Sequence, residues 1–461
     1  MQATLDSLSV ETRLFGTDGI RGLANRGKMS PELAFRIGAA MAYQAQRNRS
    51  SPARIIIGKD TRLSGYMFET ALASGVCAMG GRVLLSGPLP TPAIAHITTS
   101  MRADAGIVIS ASHNPFADNG IKIFGPAGYK LPDAHESDLE RLVYGHEIDQ
   151  KRPVGMRVGR AERLEDAWGR YVAFVKSQFP AELKLDGLKI VVDAAHGAAY
   201  RAAPAVFSEL GASVYPIGVK PNGKNINAKC GAMFPEACAR EVLRHGAHLG
   251  IALDGDADRV IVIDEQGRSV DGDVLMALCA SRLLRANKLK KRTLVATVMS
   301  NLGLEHALQR ENGKLVRCRV GDRYVVEALR QGGYNFGGEQ SGHLVFLDHS
   351  TTGDGLVAAL QLIAILLREQ TPLSQLANDA FDRIPQVLLN ASFKRQKALE
   401  EMPHTSKRIA QATHALGERG RVLVRWSGTE PKLRVMIEGP DPQRIRRYAR
   451  DILHAAEKEL R

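Results

Sequence analysis

Short, continuous apolar runs alternate along most of the chain with longer segments of helical periodicity. Ile55 to Arg62 (IIIGKDTR), Ile190 to Gly197 (IVVDAAHG) and Leu294 to Asn301 (LVATVMSN) each read as a buried strand, a polar loop and then a helix. Each is followed by a second strand exit: IVISASHNP, then IALDGDADR, then YNFGGEQSGH. β-Branched runs that do not alternate with polar residues imply strands covered on both faces, and hence parallel strands between helices. The threefold recurrence predicts three successive α/β units of one architecture, with parallel or mixed sheets. In open α/β sheets ligands sit outside the carboxyl ends of strands, where all three second loops fall.

Composition sets the boundaries. A polar, charged stretch from about Asp133 to Arg163 separates the first two units, and a Gly-Asp segment near Asp271 to Asp273 opens the third. Beyond Arg368 the chain turns basic and helix-rich, with the strand pair RVLVRW and KLRVMIEG, which reads as a smaller α+β domain. The expected domains are residues 12–150, 165–268, 271–380 and 385–461, around a central cleft. Leu356 to Leu367 (LVAALQLIAILL) is too short to span a bilayer and predicts a buried helix.

With 461 residues, 44% of them hydrophobic, the chain exceeds the size at which a single core stops growing, about 250 to 300 residues. The net charge of +13 suits acidic partners of any kind, nucleic acid or small anions. Aromatics are only 5%, and neither an aromatic-basic reader signature nor zinc-finger spacing occurs, which favours small anions over nucleic acid. Five scattered cysteines without a C-x-x-C pair argue for a reducing compartment. The opening MQATLDSLSVETRLF lacks a basic segment followed by an apolar run, so no signal peptide is expected and the cytoplasm is the expected location.

The strongest chemistry lies in IALDGDADRV, where Asp254, Asp256 and Asp258 follow a buried strand at alternate positions. Carboxylates this close repel unless a divalent cation sits among them, and hard oxygen ligands suit magnesium. The spacing also fits three positions of an EF-hand, with Glu265 on the twelfth, but Arg259 stands where that loop needs glycine and a strand follows. An aspartyl-phosphate phosphatase would need a downstream lysine and acidic loop that find no clear match. In RWSGTEPKLRV, Ser427, Gly428 and Thr429 form a small-residue turn flanked by Arg425 and Arg434, suited to a phosphate dianion. In GGEQSGH, Glu339 and Ser341 offer an acceptor and a donor for vicinal sugar hydroxyls, and His343 can titrate near neutrality. Ser110 to Pro115, taken alone, is a turn.

Together FGTDGIRG (Phe15 to Gly22), ISASHNP, DGDADR, GEQSGH and SGTEP resemble, in order and over nearly the whole chain, the α-D-phosphohexomutases. GEQSGH with Gln340 and VGDRYV (Val320 to Val325) resemble the glucosamine-phosphate branch more than the mannose or glucose branches. The resemblance implies that Ser112 is a phosphoserine and that it holds Mg²⁺ with Asp254, Asp256 and Asp258. It implies interconversion of glucosamine 6-phosphate and glucosamine 1-phosphate through a glucosamine 1,6-bisphosphate, on the route to UDP-N-acetylglucosamine. Arg21, Lys122 and His343 would share proton transfer and charge stabilisation, with His113 and Arg259 in support. Glu339 and Ser341 would hold the sugar, the loop around Asp322 and Arg323 would meet C2, and Arg425, Ser427, Gly428, Thr429 and Arg434 would grip the distal phosphate. The expected partner is a small phosphosugar, with neither nucleic acid nor membrane, and a homodimer is compatible with this reading. Alternatives are a mannose or glucose phosphate mutase, or a non-catalytic phosphosugar- or nucleic-acid-binding protein. Trp426 departs from the proline usual in that branch, and His196 from the common asparagine.

Overall fold

The computed structural model describes residues 13–16, 18–47, 51–427 and 431–460. Its first sheet has six strands: β1 (Ile20–Leu23), β2 (Arg54–Lys59), β3 (Arg82–Pro88), β4 (Ala105–Ile109), β5 (Asp118–Phe124) and β6 (Arg160–Arg163), in the order β1-β5-β4-β2-β3-β6. The second holds β7 (Lys189–Asp193), β8 (Ser213–Ile217), β9 (Leu249–Leu253), β10 (Val260–Asp264) and β11 (Ser269–Val270), in the order β11-β10-β9-β7-β8. The third holds β12 (Thr293–Thr297), β13 (Lys314–Cys318), β14 (Phe336–Gly338) and β15 (Leu344–Phe346), in the order β13-β12-β14-β15. Three α/β units thus recur, as the repeated apolar runs predict.

The sheets are mixed: three of five pairings are parallel in the first, two of four in the second and two of three in the third. β4, β9 and β14 lie parallel to β2, β7 and β12, but each then turns back into an antiparallel partner, β5, β10 or β15. Residues 110–117, 254–259 and 339–343 are too few for the crossover of about a dozen residues that a parallel return needs. The three chemistry-bearing loops are therefore tight connections inside hairpins, anchored at both ends by a sheet.

The polar stretch from Asp133 to Arg163 is a structured part of the first unit. Helix Asp133–Tyr144 buries Leu139, Leu142 and Val143, and β6 adds to the sheet parallel to β3. The last unit pairs β17 (Arg421–Trp426) with β18 (Lys432–Glu438), as expected, and adds β16 (Gln386–Ser392), which the composition did not reveal. Helices Pro403–Leu416 and Pro442–Glu459 supply Leu416, Ile445, Ala449 and Ile452 to the core on this sheet.

Helix Gly355–Glu369 is buried along most of its length, and its N-cap Asp354 accepts from Leu356 N, Val357 N and the Tyr171 hydroxyl. Among the described residues no single helix is long and apolar enough to cross a membrane; the most apolar pair, Gly355–Glu369 and Leu373–Ala380, is bent by 101°. All five cysteines are free.

Candidate active site

Ser112 sits three residues beyond the end of the hairpin strand β4 with φ of 53°, a left-handed conformation that a non-glycine residue holds only when its surroundings enforce it. The enforcement is visible. Arg62, fully buried, donates from Nη2 to the Ser112 carbonyl at 2.9 Å and the Asn114 carbonyl at 2.8 Å, and from Nη1 to the Pro115 and Asp118 carbonyls. Its Nε rests on Asp60 Oδ2 at 2.8 Å, which also accepts from Ser110 Oγ at 2.7 Å. Ser110 Oγ accepts in turn from Ser112 N at 2.9 Å. Asn227, from the second unit, donates to the Ser112 carbonyl at 2.8 Å.

This loop meets the acidic loop face to face. Ser112 Oγ donates to Asp254 Oδ2 at 2.6 Å. A Cβ on Gly255 would lie 2.5 Å from the Ser112 carbonyl oxygen, so only glycine allows the two loops to approach this closely. Asp254, Asp256 and Asp258 are all buried and can offer oxygens within 4.8 Å of one another. Asp256 Oδ1 and Asp258 Oδ1 are buried without a hydrogen-bond partner, an arrangement that suits a hard divalent cation. Burial first, then Asp258 and Asp256, push the Asp254 carboxyl well above its ordinary value, which is the strain such a cation relieves.

Lys122, projecting from β5, is buried among carboxylates: Asp256 Oδ2 at 2.8 Å, Asp258 Oδ2 at 3.1 Å and Asp18 Oδ2 at 3.3 Å. Arg21 on β1 pairs with Asp18 and donates to the Ala111 carbonyl at 3.2 Å. His343, buried just before β15, places Nδ1 3.7 Å from Asp258 Oδ1 and Nε2 3.9 Å from Asp322 Oδ2. Burial lowers its basicity, but Asp258 and Asp322 outweigh that and raise it above its ordinary value. His113 moves the other way: burial, then Arg259 and Arg21, bring it down to about 4, so a neutral imidazole lies 3.3 Å from Ser112 Oγ. Burial also pushes against Asp258 ionising, yet Lys122, His343 and Arg259 together hold it well below the usual carboxylate range.

In front of these groups lies a cavity of about 440 Å³, whose walls include Arg21, His113, Arg259, Asp322 and Glu339. Glu339 is buried, accepts from Gly321 N at 3.0 Å, and lies 3.4 Å from the hydroxyl of the exposed Ser341. The turn after Ser341 needs glycine: Gly342 has φ of 89°, and a Cβ there would lie 2.1 Å from the Val260 carbonyl oxygen.

Other expected residues stand apart. Arg323 is held by Glu136, Asp133 and the Leu131 carbonyl and does not line this cavity; two acidic side chains from helix Asp133–Tyr144 capture its guanidinium. Arg425 and Arg434 face each other across β17 and β18, and Arg434 Nη2 lies 3.4 Å from Ser427 Oγ. Burial and then the like charge of Arg434 lower the Arg425 pKa. These three are outside the cavity lining, while Gly428 and Thr429 lie outside the described residues. Trp426 turns its indole to the Lys397 carbonyl at 2.7 Å and packs on Phe393. His196 accepts from Lys220 N at 3.2 Å.

The sequence reading missed Asp60, Arg62, Asn227 and Thr91, the last of which donates to Asp256 Oδ2 at 2.6 Å. KDTR does follow a buried strand, at the same strand end as the other loops, and that position was the available signal for Asp60 and Arg62. Asn227 and Thr91 sit in segments with no motif.

The chain matches four family models described as phosphoglucomutase/phosphomannomutase: alpha/beta/alpha domain I over residues 12–148, domain II over 169–267, domain III over 271–384 and the C-terminal domain over 388–455. It is 63% identical to a phosphoglucosamine mutase of Sorangium cellulosum, over 97% of this chain and 93% of that one. It is 58% identical to a phosphoglucosamine mutase of Myxococcus xanthus, over 97% of each. Its fold matches a phosphoglucomutase/phosphomannomutase family protein of Burkholderia thailandensis with TM-score 0.78 and 24% identity, over 97% of this chain and 98% of that one. It also matches the Aspergillus fumigatus N-acetylphosphoglucosamine mutase, solved in complex with GlcNAc-6P and magnesium, with TM-score 0.68 and 16% identity over 100% and 99%. By identity sustained over nearly its whole length, the chain belongs to the phosphoglucosamine mutases.

Proposed function

We propose that this mutase interconverts glucosamine 6-phosphate and glucosamine 1-phosphate by way of a phosphorylated Ser112. The observation that carries the reading is the Ser112 hydroxyl 2.6 Å from Asp254, in a strained loop pressed against three buried carboxylates. Asp254, Asp256, Asp258 and an oxygen on Ser112 would hold Mg²⁺, which, when bound, neutralises charge on the phosphoryl group in transfer.

In the first half-reaction the bond from phosphorus to Ser112 Oγ breaks as one forms to the sugar O1. The O1 proton passes to a base, and the departing Oγ receives one from an acid. The resulting 1,6-bisphosphate turns over in the cleft. Its 6-phosphoryl group then returns to Ser112 Oγ, and glucosamine 1-phosphate leaves. Arg21 and Lys122 stabilise the transferring charge. His343, held between Asp258 and Asp322, is the proton carrier whose shifted basicity favours the acid form. Glu339 and Ser341 bind the 3- and 4-hydroxyls, whose approximate exchange on turnover lets one contact set serve both halves. Arg425, Ser427, Gly428, Thr429 and Arg434 take the phosphate that is not reacting. The units at 12–150, 165–268, 271–380 and 385–461 act as four domains, and this role requires the last to swing over the cleft.

A coupled assay on glucosamine, glucose and mannose 6-phosphates, each with Mg²⁺ and a trace of its 1,6-bisphosphate, tests the reading. The expected kcat/KM advantage for glucosamine 6-phosphate is at least about tenfold, about 1.4 kcal/mol. Equal rates, or a mannose preference, would assign the chain to another sugar. Full turnover by Ser112→Ala would remove the phosphoserine step.

A further inference from the structure

Lys130 lies in the bend after β5, where it bridges back to Phe124. Its ammonium pairs at once with Asp18, in the segment before β1, and with Asp322, in the first turn of helix Asp322–Gly332 of the third unit. Asp18 also receives Arg21 and stands 3.3 Å from Lys122 Nζ. Asp322 faces His343 Nε2 at 3.9 Å. With His343 on Asp258 and Asp258 on Lys122, six side chains close a ring of alternating charge: Lys122, Asp18, Lys130, Asp322, His343 and Asp258.

Within that ring Lys130 alone spans two carboxylates that belong to neither the cation cluster nor the sugar loop. Its side chain is only 14% exposed and lines a separate cavity of about 410 Å³, which shares Asp322 with the cleft. It therefore acts on the cleft through Asp18 and Asp322. Without it those two carboxylates would keep their separate partners, Arg21 and Lys122 on Asp18 and His343 beside Asp322, but lose the charge that joins them across the seam between the first and third units.

We propose that Lys130 is a positioning residue: by clamping Asp18 to Asp322 it sets Arg21 and Lys122 on one side of the cleft against His343 on the other. Burial disfavours its charge, but Asp18 and Asp322 raise its pKa above the ordinary lysine value, so the clamp stays charged. Asp18 is correspondingly held well below the usual carboxylate range, where Lys122, Lys130 and Arg21 outweigh burial.

The inference rests on the mutase reading, and steady-state kinetics of the full-length, Mg²⁺-loaded protein separates the two. Misplaced reacting groups lower kcat, whereas lost substrate contacts raise KM. Lys130→Met is expected to lower kcat by at least about tenfold with KM for glucosamine 6-phosphate within about twofold of wild type. Lys130→Arg, long enough to span the same two carboxylates, should recover most of that loss. Asp322→Asn, which also removes the charge beside His343, should lower kcat at least as far, and the double variant should be no slower than Asp322→Asn alone, since both break one clamp. If Lys130→Met lowers the melting midpoint by more than a few degrees, Lys130→Gln, which keeps a polar head at the seam without the charge, carries the test. A kcat within twofold of wild type, or a loss that arginine does not restore, overturns the proposal. Wild-type protein inactive on glucosamine 6-phosphate would instead overturn the functional reading.

Discussion

Arg62 Nη2 donates to the carbonyl oxygen of Ser112 over 2.9 Å, and both residues are sealed from solvent. A guanidinium with its donors spent on four carbonyls and one carboxylate is a rigid template for a loop that must hold a left-handed serine. Arg62→Met leaves Asp60 without its ion-pair partner and should cost about 3–5 kcal/mol of stability. Arg62→Lys, with fewer donors in the wrong geometry, should fold better yet turn over at least about tenfold more slowly than wild type. Urea unfolding, kinetics and the phosphate occupancy of Ser112 by intact mass would check this. Unchanged occupancy and rate in both variants would show that the loop holds itself.

Chelation should stop turnover, and added Mg²⁺ should restore it. Asp256→Asn removes one of three carboxylates and should lower kcat by at least about 100-fold while raising the Mg²⁺ concentration needed for half-maximal rate. A chelated protein working at full rate would separate the aspartates from catalysis.

Arg425 and Arg434 stand opposite each other on β17 and β18, and two guanidinium forks so placed can close on one phosphate dianion. Arg425→Ala should raise KM about tenfold or more in both directions of the reaction, since either end of the bisphosphate docks there in turn. A defect confined to one direction would argue against a shared phosphate site.

Asp354 offers a pH test away from the cleft. Burial pushes its carboxyl from 3.8 up to about 6, although Val357 N, Tyr171 and Leu356 N oppose this. A carboxyl raised on folding contributes stability below its unfolded value that is lost as pH rises through the folded one. Between pH 4 and pH 7 the stability difference should therefore move in favour of Asp354→Asn, which keeps one oxygen to accept from Leu356 N and Val357 N and turns its NH2 to donate to the Tyr171 oxygen, by roughly 1–3 kcal/mol. Paired denaturant titrations at the two pH values measure it; a difference independent of pH would contradict it.

The repeated apolar runs by themselves determined three α/β units, because strands buried on both faces can tolerate few polar side chains and so announce themselves. The loops with Ser112, the three aspartates and Glu339 were legible for the same reason: each follows such a strand directly, and its residue types have few uses other than chemistry. Strand direction after those loops was a tertiary decision, since a run such as VIVI reads alike whether it returns parallel or antiparallel. So was the fate of residues 133–163, where helix Asp133–Tyr144 carries only a narrow apolar stripe and β6 consists of four mostly charged residues that pair at an edge. Arg323 looked like a substrate contact until Glu136 and Asp133, nearly two hundred residues away, were seen to hold it. Arg62 is marked only by its place at a strand end, and Asn227 and Lys130 carry no motif at all. Their meaning comes from what folding buries beside them, because a charge or an amide gains its role from its partners, and those partners are brought together only by the packing of separate units.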